Sequence, residues 1–221
     1  VVAKRFSDKY KNIILLKNDQ NMGLAYTLNR CLEVAQGKYI ARADGDDICL
    51  PERFEKQVDF LNSNPEYQVV GSSVILYDET GDKAVRSTIE YPDKYVLVHN
   101  VPFIHPTIMM RKEAYRALGG YTVSERTRRG QDTDLWFRFF EKGFKGYNIQ
   151  KPLVKYHESL SDYGKRGFKV RWMEMKTRYI GFKNIGFPLR YYIFLLKPIV
   201  AALIPRHIMY LYHMSLKVRK L

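Results

Sequence analysis

An α/β fold opening on a parallel βαβ unit is what this 221-residue sequence predicts, and three observations carry the prediction. Short apolar runs alternate with helical spacing. Residues 12–16 (NIILL) read as a buried strand; Leu24, Leu28, Cys31, Leu32 and Ala35 recur at intervals of three and four; residues 39–41 (YIA) read as a second strand. Three carboxylates, Asp44, Asp46 and Asp47, gather where that second strand opens into a loop. Positive charge is concentrated late in the chain: residues 1–150 carry 22 Lys and Arg against 20 Asp and Glu, and residues 151–221 carry 15 against 3.

Each element follows in order. Residues 1–11 read as the end of a helix, and residues 18–23 as a loop before the helix of residues 24–35, closed by Gly37 as its C-cap. Strand, helix and strand of these lengths imply a right-handed crossover in a parallel sheet. Ligands bind beyond the carboxyl ends of such strands, so residues 18–23 and 44–47 are expected on one rim. Residues 51–61 predict an amphipathic helix with Phe54, Val58 and Leu61 on one side. Residues 69–77 (VVGSSVILY) predict a strand, residues 78–82 a hairpin turn and residues 83–89 a further short strand. In residues 103–111 (FIHPTIMMR), Pro106 is expected to hold His105 extended, with Ile108, Met109 and Met110 buried. A helix over residues 130–143 places Leu135, Phe139 and Phe140 on one face, with Asp132 and Asp134 in its first turn, where the helix dipole favours negative charge.

The carboxylate cluster carries the chemistry. Three anions within four residues repel one another unless a cation offsets them, and hard oxygen ligands suit Mg²⁺ or Mn²⁺. An ion held by one or two carboxylates is commonly shared with substrate phosphates. An EF-hand calcium loop does not fit: with Asp44, Asp46 and Glu55 at its first, third and twelfth places, Ile48 stands fifth, and Cys49 takes the sixth place, which requires glycine. Arg42 is expected to face a diphosphate from one residue past the apolar run.

Residues 21–51 (NMGLAYTLNRCLEVAQGKYIARADGDDICLP) resemble the centre of a family 2 glycosyltransferase of the GT-A fold, in which an N-x-G-L-A segment, a helix, an A-x-G-x-Y-I strand and a D-x-D-D motif follow in this order. The resemblance extends over roughly residues 10–165. It implies a Rossmann-like mixed sheet flanked by helices, and a metal-dependent, inverting transfer from a UDP- or GDP-sugar to a cell-surface polysaccharide or lipopolysaccharide, the acceptor being a glycan or lipid-linked. It also assigns roles. Asn21 and Gly23 match the segment that approaches the nucleotide, with Arg42, Asp44 and Asp46 also on the nucleotide sugar. Asp46 is the favoured metal ligand and Asp47 the second, and His157 in the VKYHESLS run matches a histidine that approaches the metal. His105 belongs to a stretch that shapes the acceptor side of the cleft, before the Gly119-Gly120-Tyr121 turn. Asp132 matches the general base of an E-D motif in which Gln131 replaces the usual Glu, with Asp134 as support. One carboxylate suffices there, because a nucleoside diphosphate leaves without the proton that a glycosidase must supply.

The family opens on a strand, helix and strand that hold base and ribose. Val1 falls just before the third strand, so the chain is expected to begin part-way through a longer protein. A non-catalytic nucleotide- or glycan-binding module is the alternative that this shortfall raises.

The end of the chain, residues 166–221, reads as a basic amphipathic helical tail following a catalytic domain of residues 1–165. Val170, Met173, Met175, Tyr179 and Ile180 stand among Lys169, Arg171, Lys176 and Arg178. The apolar run of residues 191–204 is broken by Lys197 and Pro198 and falls short of the roughly 20 residues of a membrane span. It suits a segment lying on anionic lipid, with Arg206, Lys217, Arg219 and Lys220 at headgroup depth. A peripheral protein at the cytoplasmic face of the inner membrane is therefore expected. Nucleic acid is not expected as a partner, since the basic residues interleave with long aliphatics. Cys31 and Cys49 form no C-x-x-C, which agrees with a reducing compartment.

Overall fold

The computed structural model describes residues 2–158, 167–202 and 218–220. Helix α1 (Val2–Lys9) leads through an irregular stretch to α2 (Leu24–Val34), followed by β1 (Tyr39–Ala41), β2 (Ile48–Cys49), α3 (Arg53–Ser63), β3 (Tyr67–Asp78) and β4 (Gly81–Arg86). Then come α4 (Val96–His99), β5 (Met109–Arg111), α5 (Lys112–Leu118), α6 (Gln131–Glu141) and β6 (Lys145–His157). The remaining elements are α7 (Phe168–Ile185), a 3-10 helix (Leu189–Leu196), α8 (Lys197–Ala202) and β7 (Val218–Lys220).

Strand β3 is the axis of a mixed sheet. Val, Ile, Leu and Tyr make up most of it, and seven of its twelve positions, Val69 through Val74 and Leu76, are buried, as a central strand requires. β6 runs parallel along one edge of β3 from Tyr67 to Tyr77. β5 (Val69↔Met110) and β4 (Val74↔Arg86) pair antiparallel with its first and second halves. β1 adds beyond β5, with Ile40 opposite Met110, and β2 pairs with β6. The core lies on one face, where Trp136, Leu135 and Phe139 of α6 meet Phe103, Ile108, Met110 and Val69.

The structure corrects several sequence readings. Residues 12–16 form no strand: Ile13, Ile14 and Leu15 are exposed, no described strand pairs with them, and the Ile13 N–H turns back to the Tyr10 carbonyl (3.0 Å). The parallel βαβ around α2 is therefore not formed; β1 is antiparallel to β5, and the parallel pair is β3 with β6. Gly37 does not cap α2, since extended Ala35 does so, returning its N–H to Cys31. The buried line of α2 is Ala25, packed with Leu28 and Leu32, while Leu24 and Cys31 face outward. Helix α3 buries Arg53, Gln57 and Leu61 at intervals of four, and Phe54 is exposed, because the sheet offers carbonyls to that face rather than a purely apolar surface. His105 opens a 3-10 turn (His105–Thr107) instead of an extended stretch, the Thr107 N–H closing on the Ile104 carbonyl.

Other readings agree with the structure. α6 ends in a Schellman turn, with Gly143 left-handed at φ 69° and the Phe144 N–H bonded to Phe139 O. Helix α7 starts at Phe168 as expected, but its buried face is not the one the spacing suggests. It buries Thr177, Arg178, Gly181 and Phe182 and leaves Tyr179 and Ile180 exposed. Gly181 lies against the Phe137 ring so closely that a Cβ there would stand 2.1 Å from Phe137 Cγ. Phe182, Phe187 and Leu195 thereby join the principal core. Among the described residues no helix is long and apolar enough to cross a membrane. Ser161, Arg206 and Lys217 lie outside the described residues, as do the side chains of Arg219 and Lys220.

Candidate active site

The acidic loop between β1 and β2 is built on a buried arginine. Arg53 of α3 is fully buried and donates from Nη2 to the Arg42 carbonyl (2.6 Å) and from Nε to Gln57 (3.1 Å). Gln57 in turn donates to the Thr107 carbonyl (2.7 Å) and the Val70 carbonyl (3.2 Å). A guanidinium and an amide thus tie the loop's start to the middle of the sheet, holding Arg42 in place. Sequence reasoning missed both; polar residues spaced by four in a helix whose neighbours are apolar were the available signal.

Arg42 is 8% exposed and turns inward. Its Nε and Nη2 both donate to Asp44 Oδ1 (3.0 and 2.9 Å), while its Nη1 is buried with no protein acceptor. Burial works against its charge but is outweighed by Asp44 and then by Tyr121, so its pKa is raised. Asp46 is exposed at the loop's tip, its carbonyl accepting a hydrogen bond from the Tyr77 hydroxyl. Asp47 Oδ1 accepts the His157 backbone N–H (2.9 Å), whereas Oδ2 is buried without a partner. Burial first, then the charges of Asp44 and Asp46, push the Asp47 carboxyl up to about 6 against the relief from His157. A carboxylate in this condition gains from a cation placed against it. The His157 imidazole points elsewhere, its Nε2 3.4 Å from Glu79 and its ring edge-on to Tyr77. Among the described residues no three His, Cys, Asp or Glu side chains are gathered closely enough to hold a metal ion alone.

The second half of the site is the start of α6. Asp132 is half-buried, its Oδ1 accepting the Thr133 N–H (2.7 Å). Asp134 is 5% exposed and has no free capacity of this kind. It accepts from Thr122 Oγ1 (2.6 Å), Arg126 Nη1 (2.6 Å) and Arg138 Nε (2.9 Å), so its geometry is that of a support holding the 122–127 turn against α6 rather than of a nucleotide contact. Burial alone would raise its pKa, but Thr122, Arg138 and Arg126 outweigh it and lower it.

Tyr121 is the buried hydroxyl behind Arg42. The Gly119-Gly120 pair, left-handed at both positions (φ 68° and 69°), turns the chain so that Tyr121 enters the core. Its hydroxyl lies 2.9 Å from His105 Nε2 and 3.2 Å from the Tyr115 hydroxyl. Burial raises its pKa, while Tyr115 and Arg42 oppose that. His105 is thus a buried partner of Tyr121. Burial first, and then Arg42, drive its pKa well below the usual range and keep it neutral. Tyr121 was the residue the sequence underplayed, being legible only as part of a turn.

Asn21 and Gly23 stand apart from this network, at the opening of α2. Asn21 Oδ1 accepts the Gly23 N–H (3.0 Å), and Gly23 takes φ 84°, a conformation that L side chains rarely adopt. Beside them a concavity is lined by Lys17, Asn18 and Arg30, with Arg30 bonded to the Asn18 side chain and the Lys17 carbonyl.

Comparison with known proteins gives the family and the fold. The family described as Glycosyl transferase family 2 matches residues 1–119. EpsE of Bacillus subtilis, named as a candidate glycosyltransferase, is 42% identical over 213 residues, covering 96% of this chain and 77% of its own length. An Escherichia coli UDP-Gal:alpha-D-GlcNAc-diphosphoundecaprenol beta-1,3-galactosyltransferase is 30% identical over 175 residues, covering 77% of this chain. The chain spans 62% of that galactosyltransferase and 63% of TarS of S. aureus, solved with UDP-GlcNAc. The TarS structure superposes with a TM-score of 0.60 over 98% of this chain at 15% identity, a likeness of GT-A-type fold. The chain belongs to glycosyl transferase family 2.

Proposed function

We propose that this chain is the catalytic part of an inverting glycosyltransferase that moves a sugar from a UDP- or GDP-sugar onto a lipid-linked or polysaccharide acceptor of the cell surface. The observation that carries the reading is the under-neutralised acidic loop, with its buried and unpartnered Asp47 oxygen, in a chain that also presents a separate half-buried carboxylate, Asp132, at the start of α6. Asp47 Oδ2, buried and unpartnered beside Asp44 and Asp46, fits one divalent ion of the Mg²⁺ or Mn²⁺ kind, shared with a diphosphate rather than caged by protein. Asp46 and Asp47 would hold it, and it would supply positive charge to the departing diphosphate. The His157 ring, turned to Glu79, would need to rotate to join them.

The chain's own residues do the rest. Arg42 offers its unpartnered Nη1 to an anion and keeps Asp44 oriented. Asp132 takes the acceptor hydroxyl proton on the face opposite the leaving group. Gly23 and Asn21 keep the chain close enough for a nucleotide to approach the backbone at the opening of α2. A lipid-linked acceptor is suggested by the galactosyltransferase relative, whose name carries diphosphoundecaprenol.

The test is transfer from radiolabelled UDP- and GDP-sugars by the full-length enzyme with Mn²⁺. Asp132→Asn and Asp46→Ala should each lower turnover about 10²–10⁴-fold while leaving the thermal transition in place. Near-normal turnover in either variant would end this assignment.

A further inference from the structure

We infer that the outer face of α7, together with the 3-10 helix after it, docks on an anionic lipid bilayer. At 100° per residue, Phe168, Trp172, Lys176, Tyr179 and Lys183 fall within an arc of about 80°. All five are exposed, and the opposite side of the helix, with Thr177, Gly181 and the Glu174 carboxylate, faces the protein. Phe168 and Trp172 stack on each other with ring centroids 6.4 Å apart, in the open rather than in a core. Beyond the left-handed Gly186 the chain folds back, with Tyr192 meeting Tyr179 edge-on at 5.9 Å. In that 3-10 helix Arg190, Ile193 and Leu196 eclipse at intervals of three, and all are exposed, with Leu189 beside them at 83%.

Two strips that alternate large apolar rings and aliphatics with Lys and Arg thus lie side by side. Charge decides what covers them. Lys176, Lys183 and Arg190 stand among the apolar residues, and the carboxylate at the strip's edge, Glu125, is taken by Lys169 at 2.5 Å. A second copy meeting this face about a two-fold axis would set lysine against lysine. An acidic headgroup layer accepts the ammonium groups, while Trp and Tyr settle at the depth of the ester region and Leu189, Ile193 and Leu196 enter the acyl boundary. The surface differs from the stripe that the sequence suggested: Lys176 and Tyr179 lie on it, while Arg178 is buried with Nη1 on the Leu97 carbonyl (2.8 Å). It stands independently of the sugar-transfer reading.

The experiment is co-sedimentation of the full-length protein with phosphatidylglycerol-containing vesicles and with pure phosphatidylcholine vesicles. The protein should pellet with the former, less so in high salt. Replacing Lys176 or Lys183 by Gln should lower the partition coefficient about fivefold each. Phe168→Ser with Trp172→Ser should abolish pelleting while sugar transfer to a soluble acceptor persists. The proposal is overturned if the wild type fails to pellet, if it pellets equally with both vesicles, or if the double serine variant pellets like wild type. A dimer in solution that the double serine variant dissolves would also overturn it, by assigning the face to a second copy.

Discussion

Two acidic clusters, one in the β1–β2 loop and one at the start of α6, have opposite electrostatics. Asp134, at the start of α6, has a hydroxyl and two guanidinium groups on its two oxygens and a lowered pKa. Asp47, in the β1–β2 loop, has one backbone N–H, one orphan oxygen, two anionic neighbours and a carboxyl pushed up to about 6. Both are aspartates in short D-x-D patterns, so the pattern alone does not separate them. Satisfaction does. A buried carboxylate whose hydrogen bonds are complete contributes to the fold, whereas one left incomplete beside like charges is arranged for something that arrives later.

The comparison breaks most sharply at α6. Asp132→Asn should cost about 10²–10⁴-fold in turnover with the fold intact, while its near neighbour gives the reverse. Asp134→Ala removes the one anion from two cations and should cost about 3–5 kcal/mol in unfolding free energy, read by urea titration. The pH dependence has a fixed sign. Because the folded pKa of Asp134 lies below its unfolded value near 4, its contribution is complete above that pH and is lost as pH falls through the folded pKa. The deficit of the variant should therefore shrink in strong acid.

Tyr121→Phe tests the buried hydroxyl behind the acidic loop. It keeps the ring in the core but removes the hydroxyl shared by His105, Tyr115 and the Arg42 side, and kcat/KM should fall about tenfold. A fall in stability with unchanged kcat/KM would reduce the residue to packing. The smallest effect on stability belongs to Asp47→Asn, measured with chelator present. Its folded pKa is raised, so its ionised form burdens the fold above pH of about 6 and not below about 4. The variant should melt higher than wild type by no more than about 4 °C at neutral pH and equally at acid pH, while losing transfer activity.

Much of the frame was legible in residues taken singly. The β-branched run of β3, the Gly143 stop of α6 and the carboxylates at 44–47 and 132 are local signals, and local hydrogen bonding or steric freedom enforces them. The illegible parts share a cause. Residues 12–16 are as apolar as a strand, yet a strand needs a neighbour for its ladder, and which segments become neighbours is a long-range matter. The same holds for Arg53, whose role depends on carbonyls contributed by residues 42 and 108. Helix α7 was read as a free amphipathic tail because its buried face includes Thr177, Arg178 and Gly181, which look like surface residues until Phe137 and Leu97 are set against them.

What the sequence determined by itself is the family, the order of most elements and the residue types available for chemistry, since these rest on motif spacing and on periodicities of two and 3.6. What only the tertiary structure decided is which aspartate is saturated and which is open. Charge and hydrogen-bond satisfaction are properties of neighbours in space, and those neighbours are drawn from segments as much as 110 residues apart, as the bond from His157 to Asp47 makes plain.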